Sequence, residues 1–382
     1  MKKLISAIII ILIGINLYAD FPITDSLDST ILFTEFNENR ESDLTIQNKA
    51  IDLLNNTPAG ATVRVSIHNL TRVDVSNALI DAYKRGVDIK IISRRENSAV
   101  NYLLTQIPKE NIIINNGGAH GPRGNHNKFM IISPWVNDKE YVIFQTTASF
   151  TAIQTRQEND AIIIYNDESL FNAYLNYWND MSNNVWDLGY YREINTTSGI
   201  RLYFFPHYEA DGRTGEGDPI VDVLNTLIYK LGYDVVDVNN NKLTLNQTVS
   251  GDFAPEDITI RIAMSIWTTQ RRAIARYIIA LHELGADVKL LIDHTSTSNS
   301  LITMFEEAEI PFAGLSSLHS KQMLISFPTN NYLVFTGTAN FTRPALRHRD
   351  ETILLINNNV IFEQYITNWD LMWNNPDTIQ QP

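Results

Sequence analysis

The chain has 382 residues, 44% of them hydrophobic, which is enough apolar material for one large or two medium cores. A formal net charge of −13 denies it the broad positive field of a non-specific nucleic-acid binder and works against adhesion to anionic membrane. Cysteine is absent, so no disulfide framework holds the fold.

Lys2 and Lys3 precede an almost wholly apolar run from Leu4 to Leu17, and Ala19 offers a small residue before Asp20. This reads as a secretory signal cut near Ala19, which places the mature protein outside the cell or in a periplasm. The run is short for a full membrane span. Removing it takes Lys2 and Lys3 from 30 basic residues and leaves 28 against 43 acidic ones.

Residues 20–45 are polar and irregular apart from Ile31-Leu32-Phe33. Helical spacing follows from Ile46 to Leu54, then alternation from Gly60 to Leu70 that predicts a strand. Thr71 is an expected N-cap for a helix over Val73–Arg85, with Gly86 as its stop. Strands are expected at Val87–Ile92 and Ile112–Ile114, with a short helix, Val100–Gln106, between them. A glycine-rich loop, residues 117–124, delivers the chain to His126; its His120 belongs either at the mouth of a site or in solvent. Strands Tyr141–Phe144 and Ala161–Tyr165 and a helix Glu168–Met181 close this half.

The order then repeats. Helix Asp218–Leu231 is followed by a polar, exposed excursion over 232–257. Strand Ile258–Trp267, helix Gln270–Leu284, the stop Gly285 and strand Val288–Ile292 follow. Ser66-Ile67-His68 aligns with Ser265-Ile266-Trp267 at an offset of 199, which puts His68 and Trp267 at matching strand ends. The offset falls to 193 at a His-x-Lys triplet and to 191 beyond it, where Phe171, Tyr174, Trp178 and Met181 meet Phe362, Tyr365, Trp369 and Met372. The chain is therefore α/β, with two similar βα-rich halves, 20–196 and 197–382, expected to pack about a pseudo-two-fold axis.

The duplicated triplets are His126-Asn127-Lys128 and His319-Ser320-Lys321, each leading an apolar run. Residues two apart on a strand share a face, so each histidine sits with its lysine. A lysine supplies charge to the non-bridging oxygens of a phosphate, and a histidine attacks phosphorus or moves a proton. Downstream, Thr336-Gly337-Thr338-Ala339-Asn340 combines a glycine for close backbone approach with hydroxyl and amide groups at Thr338 and Asn340 that suit an oxyanion. The other histidines show no metal-ligand spacing, so no metal and no cofactor are expected.

Two His-x-Lys triplets, each followed by a Gly-Ser/Thr-x-Asn-like element and then an acid, resemble the phospholipase D superfamily over nearly the whole mature chain. The family's aspartate five residues after each lysine is replaced here by Ser133 and Ser326; tyrosyl-DNA phosphodiesterases of the same superfamily also lack it. In the first half Thr146 replaces the glycine and Ser149 the asparagine. The resemblance implies a phosphohistidine mechanism, with His126 as nucleophile and His319 as general acid/base. It also implies that Lys128, Lys321, Asn340 and Ser149 hold phosphate oxygens. An acid from the opposite half is implied for each histidine, Glu351 for His126 and Asp160 for His319.

The leading reading is thus an exported phosphodiesterase that removes phospholipid headgroups, touches a membrane surface transiently and has no obligate protein partner. The second is an exported nuclease of the same fold, and the third a catalytically weak binding protein or toxin component.

Overall fold

A computed structural model describes residues 21–24, 26–34, 41–136, 138–184, 186–187, 189–239, 242–375 and 379–381 of the chain. The expected leader, 1–19, lies outside these residues. Among the described residues no helix is long and apolar enough to cross a membrane.

Two mixed sheets form, one from each half, except that Arg192–Asn195, before the expected boundary at 196, joins the second sheet. In the first, Thr62–Ile67, Asp88–Ser93 and Ile112–Ile114 run parallel, as their helical crossovers require. Lys128–Ser133, Val142–Thr146, Asp160–Ile164 and Ser29–Phe33 extend it antiparallel. The patch at 31–33, in a segment expected to be irregular, is thus the edge strand. In the second sheet Thr259–Met264, Asp287–Ile292 and Phe312–Gly314 are the parallel strands. Lys321–Phe327, Asn331–Gly337, Thr352–Asn357, Arg201–Phe204 and Arg192–Asn195 continue it antiparallel. Ile379–Gln381 closes the far edge.

Both sheets are buried on both faces, which is why their strands read as continuous apolar runs. Along Lys128–Ser133, Phe129 and Ile131 enter a core shared by the two halves, while Met130 and Ile132 enter the first half's own core. Helices Glu168–Ser182 and Asn359–Trp373 fill the shared core between the sheets. Tyr174 packs on Phe129 of one sheet and Phe204 of the other, and Tyr365 meets Phe33. Trp178 Nε1 donates to Val65 O at 2.9 Å, and its repeat partner Trp369 Nε1 donates to Ile262 O at 3.1 Å. Gly86 and Gly285 end their helices at φ 94° and 122°, values that favour glycine. Two local expectations change. Helix Val73–Lys84 is preceded by Arg72, which gives it no side-chain cap, and not by Thr71 as its N-cap. The 232–257 excursion contains an antiparallel hairpin, Tyr233–Asn239 with Lys242–Gln247, that packs Tyr233, Val235, Leu243 and Leu245 on the second core.

The repeat has a register that differs from the one read in sequence. His68 N–H donates to Asn127 O and Ser265 N–H to Ser320 O, so His68 corresponds to Ser265. Leu70 bridges Phe150 as Trp267 bridges Phe341, so Trp267 corresponds to Leu70 and not to His68. Arg64 pairs with Asp88 as Arg261 pairs with Asp287. The offset is therefore 197 along this strand, although it is 199 in the next. A second slip lies near the end of each half. Thr147 N–H donates to Asp160 O, whereas Thr338 N–H donates to Thr352 O, so the offset there is 192 and the counterpart of Glu351 is Asn159.

Candidate functional site

The two His-x-Lys segments meet between the sheets, each stitched to the opposite half by backbone. Asn125 bridges Asp350 and Leu318 bridges Glu158. His126 N–H donates to Asp350 O at 2.9 Å, and His319 N–H to Glu158 O at 3.0 Å. These contacts place the residue after each acceptor beside the histidine ring. Glu351 Oε2 lies 2.8 Å from His126 Nδ1, and Asn159 Oδ1 lies 2.8 Å from His319 Nδ1.

Asp160 therefore does not orient His319. Its Oδ2 accepts from the Thr336 hydroxyl at 2.5 Å and the Tyr365 hydroxyl at 3.0 Å, inside the shared core. Burial raises its carboxyl above the usual range. The expectation failed by one position, because a constant offset through the last strand pairs Glu351 with Asp160. The inserted residue that shifts the pairing shows only in the backbone hydrogen bonds.

Asn159 is fixed in one orientation. Its Nδ2 donates to Gln154 O at 3.0 Å and Gln157 O at 2.9 Å, so Oδ1 must face the histidine. Oδ1 also accepts from the Thr147 hydroxyl at 3.2 Å. An acceptor-only oxygen puts the proton of His319 on Nδ1 and leaves Nε2 as a lone pair. Gln154 occupies that lone pair: its Nε2 lies 3.1 Å from His319 Nε2 while its Oε1 accepts the Ser149 N–H. Sequence reading missed both Asn159 and Gln154. Asn159 stood beside the residue chosen, and Gln154, on the short 3-10 turn Gln154–Arg156, belongs to no repeated pattern.

Each lysine turns back on its own histidine. Lys128 Nζ donates to His126 O at 2.6 Å, and Lys321 Nζ donates to His319 O and stands 3.3 Å from His319 Nδ1. Both ammonium groups are nearly inaccessible to solvent, with Lys128 1% and Lys321 4% exposed. Burial is the main cause lowering their proton affinity: Lys321 falls to about 7 and Lys128 well below its ordinary value. Burial, then Lys128 and Lys321 respectively, drive His126 and His319 well below the usual histidine range. Glu351 is raised to about 7 by burial, against the pull of Lys128. The pocket is thus short of negative charge and would gain protons as an anion enters.

The remaining expected residues divide. Ser149 Oγ and Asn340 Oδ1 are buried with no partner among the described residues, at corresponding positions of the two halves. The Ser149 hydroxyl can donate to a bound oxyanion, whereas Asn340 Oδ1 can only accept, so Asn340 would meet an oxyanion through its Nδ2. Thr338, expected to hold phosphate, is fully buried; its hydroxyl accepts Thr352 N–H at 3.0 Å and its side chain hydrogen-bonds Glu351. Gly337 has the role expected of it, since a Cβ there would come within 2.1 Å of Thr352 O. Arg271 braces the same segment, donating from Nη1 to Asn340 O at 3.2 Å while paired with Asp218. His120 is neither exposed nor at a mouth. It stacks on Tyr190 at 3.6 Å and lies 3.5 Å from Asp350, whose carboxylate accepts the Ala119 and His120 N–H groups. His68 does reach the site, with its ring 4.5 Å from that of His126. Among the described residues no group of three potential ligands comes together to hold a metal ion.

A family model described as "Cardiolipin synthase, PLD-like domain" matches residues 50–182 and 257–373, which contain both His-x-Lys segments and all the residues just described except Tyr190 and Asp218. No curated protein sequence matches the chain. Among solved structures, the phosphatidylserine synthase of Haemophilus influenzae Rd KW20 aligns over 92% of this chain and 87% of its own, at 12% identity and TM-score 0.58. The polyphosphate kinase of Porphyromonas gingivalis aligns over 91% of this chain at 10% identity and TM-score 0.56, and the chain spans about half of that enzyme, 51%. Identities this low speak for the shared fold alone.

Proposed function

The chain belongs to the phospholipase D-like family, and from that premise we propose that it is an exported phosphodiesterase that removes phospholipid headgroups through a phosphohistidine on His126. Membership gives phosphodiester handling in general. A lipid is favoured over nucleic acid by the acidic net charge of −13, which repels a polyanion, and by the apolar leader read in residues 1–19. Mature protein whose mass begins at Asp20 would bear out export; an uncleaved leader would count against it.

The observation that carries the mechanism is the unequal pairing of the histidines. Glu351 accepts from His126 Nδ1, so His126 Nε2 is the nucleophilic lone pair and the carboxylate can balance the positive charge that P–N bond formation creates. His319 has only the neutral Asn159 behind it, so its imidazolium is a comparatively strong acid, suited to giving a proton to a leaving oxygen. In the free protein Nε2 of His319 accepts from Gln154 and carries no proton. The phosphodiester's negative charge raises the proton affinity of His319 and Lys321 as it enters, and the substrate displaces Gln154.

In the first step Nε2 of His126 forms a bond to phosphorus, the bond to the headgroup oxygen breaks, and that oxygen takes the Nε2 proton of His319. In the second, His319 removes a proton from water or an alcohol, the new oxygen bonds to phosphorus, and the P–N bond breaks. Lys128, Lys321, Ser149 and Asn340 hold the non-bridging oxygens.

Mixed phospholipid vesicles with a little ethanol and excess EDTA test this. Release of headgroup with formation of phosphatidylethanol, absent in His126→Ala, is the expected result. Absence of any lipid product would end the substrate assignment, and cleavage of single-stranded DNA or RNA in its place would establish the nuclease reading.

A further inference from the structure

Two arginines stand beside the His-x-Lys centre on one side only. Arg94 leaves strand Asp88–Ser93 with its N–H bonded to Ile67 O at 3.1 Å, and its Nη1 lies 3.3 Å from His68 Nε2. His68 presents Nδ1 to Asn125 O at 3.0 Å and packs on His126, so the guanidinium is one ring removed from the proposed nucleophile. The Arg94 side chain also lies over the backbone leading to His126: a Cβ on Gly124 would come within 2.6 Å of its Nε. Arg349 precedes the Asp350-Glu351 pair, between a backbone contact of His348 O with Arg123 N–H and the bridge from Asp350 to Asn125. Its Nε is buried without a partner.

Among the described residues neither guanidinium makes an ion pair. Of the adjacent acids, Asp350 is committed to the N–H groups of Ala119 and His120; Glu351 gives its Oε2 to His126 and attracts both arginines through space, but neither guanidinium reaches it within ion-pair distance. His68, whose Nδ1 proton is held by a carbonyl, is neutral and balances no charge. Burial, then the neighbouring Arg349 and Arg95, lower the proton affinity of Arg94 while Glu351 raises it; burial is the main cause lowering His126 and Lys128, and Arg349 and Arg94 add to it.

The repeat shows that this charge is not a by-product of the duplicated phosphate site. In the observed register the counterparts of His68, Arg94 and Arg349 are Ser265, Asp293 and Gln157. Asp293 is itself satisfied by Thr295 and Ser296. The lysines are matched across the pseudo-two-fold; the arginines are not.

We propose that Arg94 and Arg349 form a second anion subsite that takes a carboxylate or phosphate carried by the same substrate next to its scissile phosphodiester. Resting on the phospholipid reading above, this makes the preferred substrate a lipid with a negatively charged group in its head. Guanidinium forks suit both anions, and two unpaired ones provide more donors than the scissile phosphate needs.

Calorimetric titration with orthophosphate, pyrophosphate and tripolyphosphate tests the subsite without relying on turnover. In the wild type the longer anions should bind at least about ten-fold more tightly than orthophosphate. The gap should close in Arg94→Gln and in Arg349→Gln and persist in Arg94→Lys, with thermal melting confirming that each variant is folded. Equal affinities in the wild type, or a gap that neither Gln variant narrows, would overturn the proposal. Turnover then identifies the source of the anion. Phosphatidylserine and phosphatidylethanolamine differ by one carboxylate, and the ratio of their kcat/KM values cancels any loss common to both. A ratio of about ten in the wild type that collapses in the variants supports the subsite and the lipid reading together. No lipid turnover, with a thymidine dinucleotide cleaved faster when it bears a terminal phosphate, would keep the subsite and reject the lipid.

Discussion

Exchanging the partner of His319 separates the two readings of its orienting residue. Asn159→Asp puts a carboxylate 2.8 Å from Nδ1, in a position 2% exposed. A hydrogen-bonded carboxylate at that range raises a histidine's proton affinity by about 1–3 pH units, or about 1.4–4 kcal/mol. The variant also loses the Nδ2 bonds to Gln154 O and Gln157 O, and unpaired buried carbonyls cost about 1–3 kcal/mol each. The protein should therefore melt at lower temperature while its pH profile changes. If His319 must be protonated to act, turnover is lost as pH rises through its folded pKa, so the alkaline limb of kcat/KM should move up by about 1–3 units. Asp160→Asn should weaken the contacts to Thr336 and Tyr365 and lower stability, yet leave that limb where it is. Steady-state rates from pH 5 to 10 on all three proteins, with melting curves, decide it. A limb that moves in Asp160→Asn and not in a folded, active Asn159→Asp would refute the reasoning.

Three further outcomes follow from the same geometry. Glu351, raised to about 7, must be ionised to accept from His126, so kcat/KM should show an ionisation near pH 7, and Glu351→Gln should abolish that ionisation and lower turnover about 10²-fold. Because its folded pKa exceeds its unfolded one, near 4.5, wild-type stability should fall as pH rises between about 4.5 and 7, which denaturant titration of wild type and variant can check. Gln154→Ala removes a bond worth about 1 kcal/mol that substrate must break at His319 Nε2, so KM should drop about five-fold; a rise would show that Gln154 binds substrate. Asp218→Ala strands the fully buried Arg271 charge and should cost about 3–5 kcal/mol by denaturant unfolding, loosening Asn340 with it.

Much of this site was legible in the residues, and what was not is instructive. The duplicated His-x-Lys triplets and the apolar strands behind them stand out because each carries its signal in residue type and period, whereas Glu351 was reached only through the family resemblance. The error at Asp160 is of another kind. An acid is the residue type that chemistry would choose for His319, and a constant offset pointed to it, but hydrogen-bond register decides which neighbour faces the ring. A single-residue slip reverses the faces of a strand. His68 was misplaced against Trp267 by a slip of two residues, which keeps the face but changes the neighbour. Arg94 and Arg349 were invisible for a different reason: exposed arginines are common, and only the folded arrangement shows these two without counter-charges. Thr338 has a neighbour that sequence does not show: its hydroxyl accepts from the adjacent strand and its side chain bonds Glu351, the acid behind His126.

The crossed backbone bridges, Asn125 to Asp350 and Leu318 to Glu158, have a bearing on how the molecule could have arisen and how it can be taken apart. Each half holds a histidine whose ring is aimed by the other half's chain, so neither carries a finished centre. A single ancestral half would have had to work as a pair of identical copies. Fusion then freed the two copies to diverge, and the unequal partners Glu351 and Asn159 are a division of labour that an identical pair cannot encode. Once they had diverged, two copies of the same half would build either two carboxylate-backed histidines or two amide-backed ones. Only the mixed assembly restores one of each.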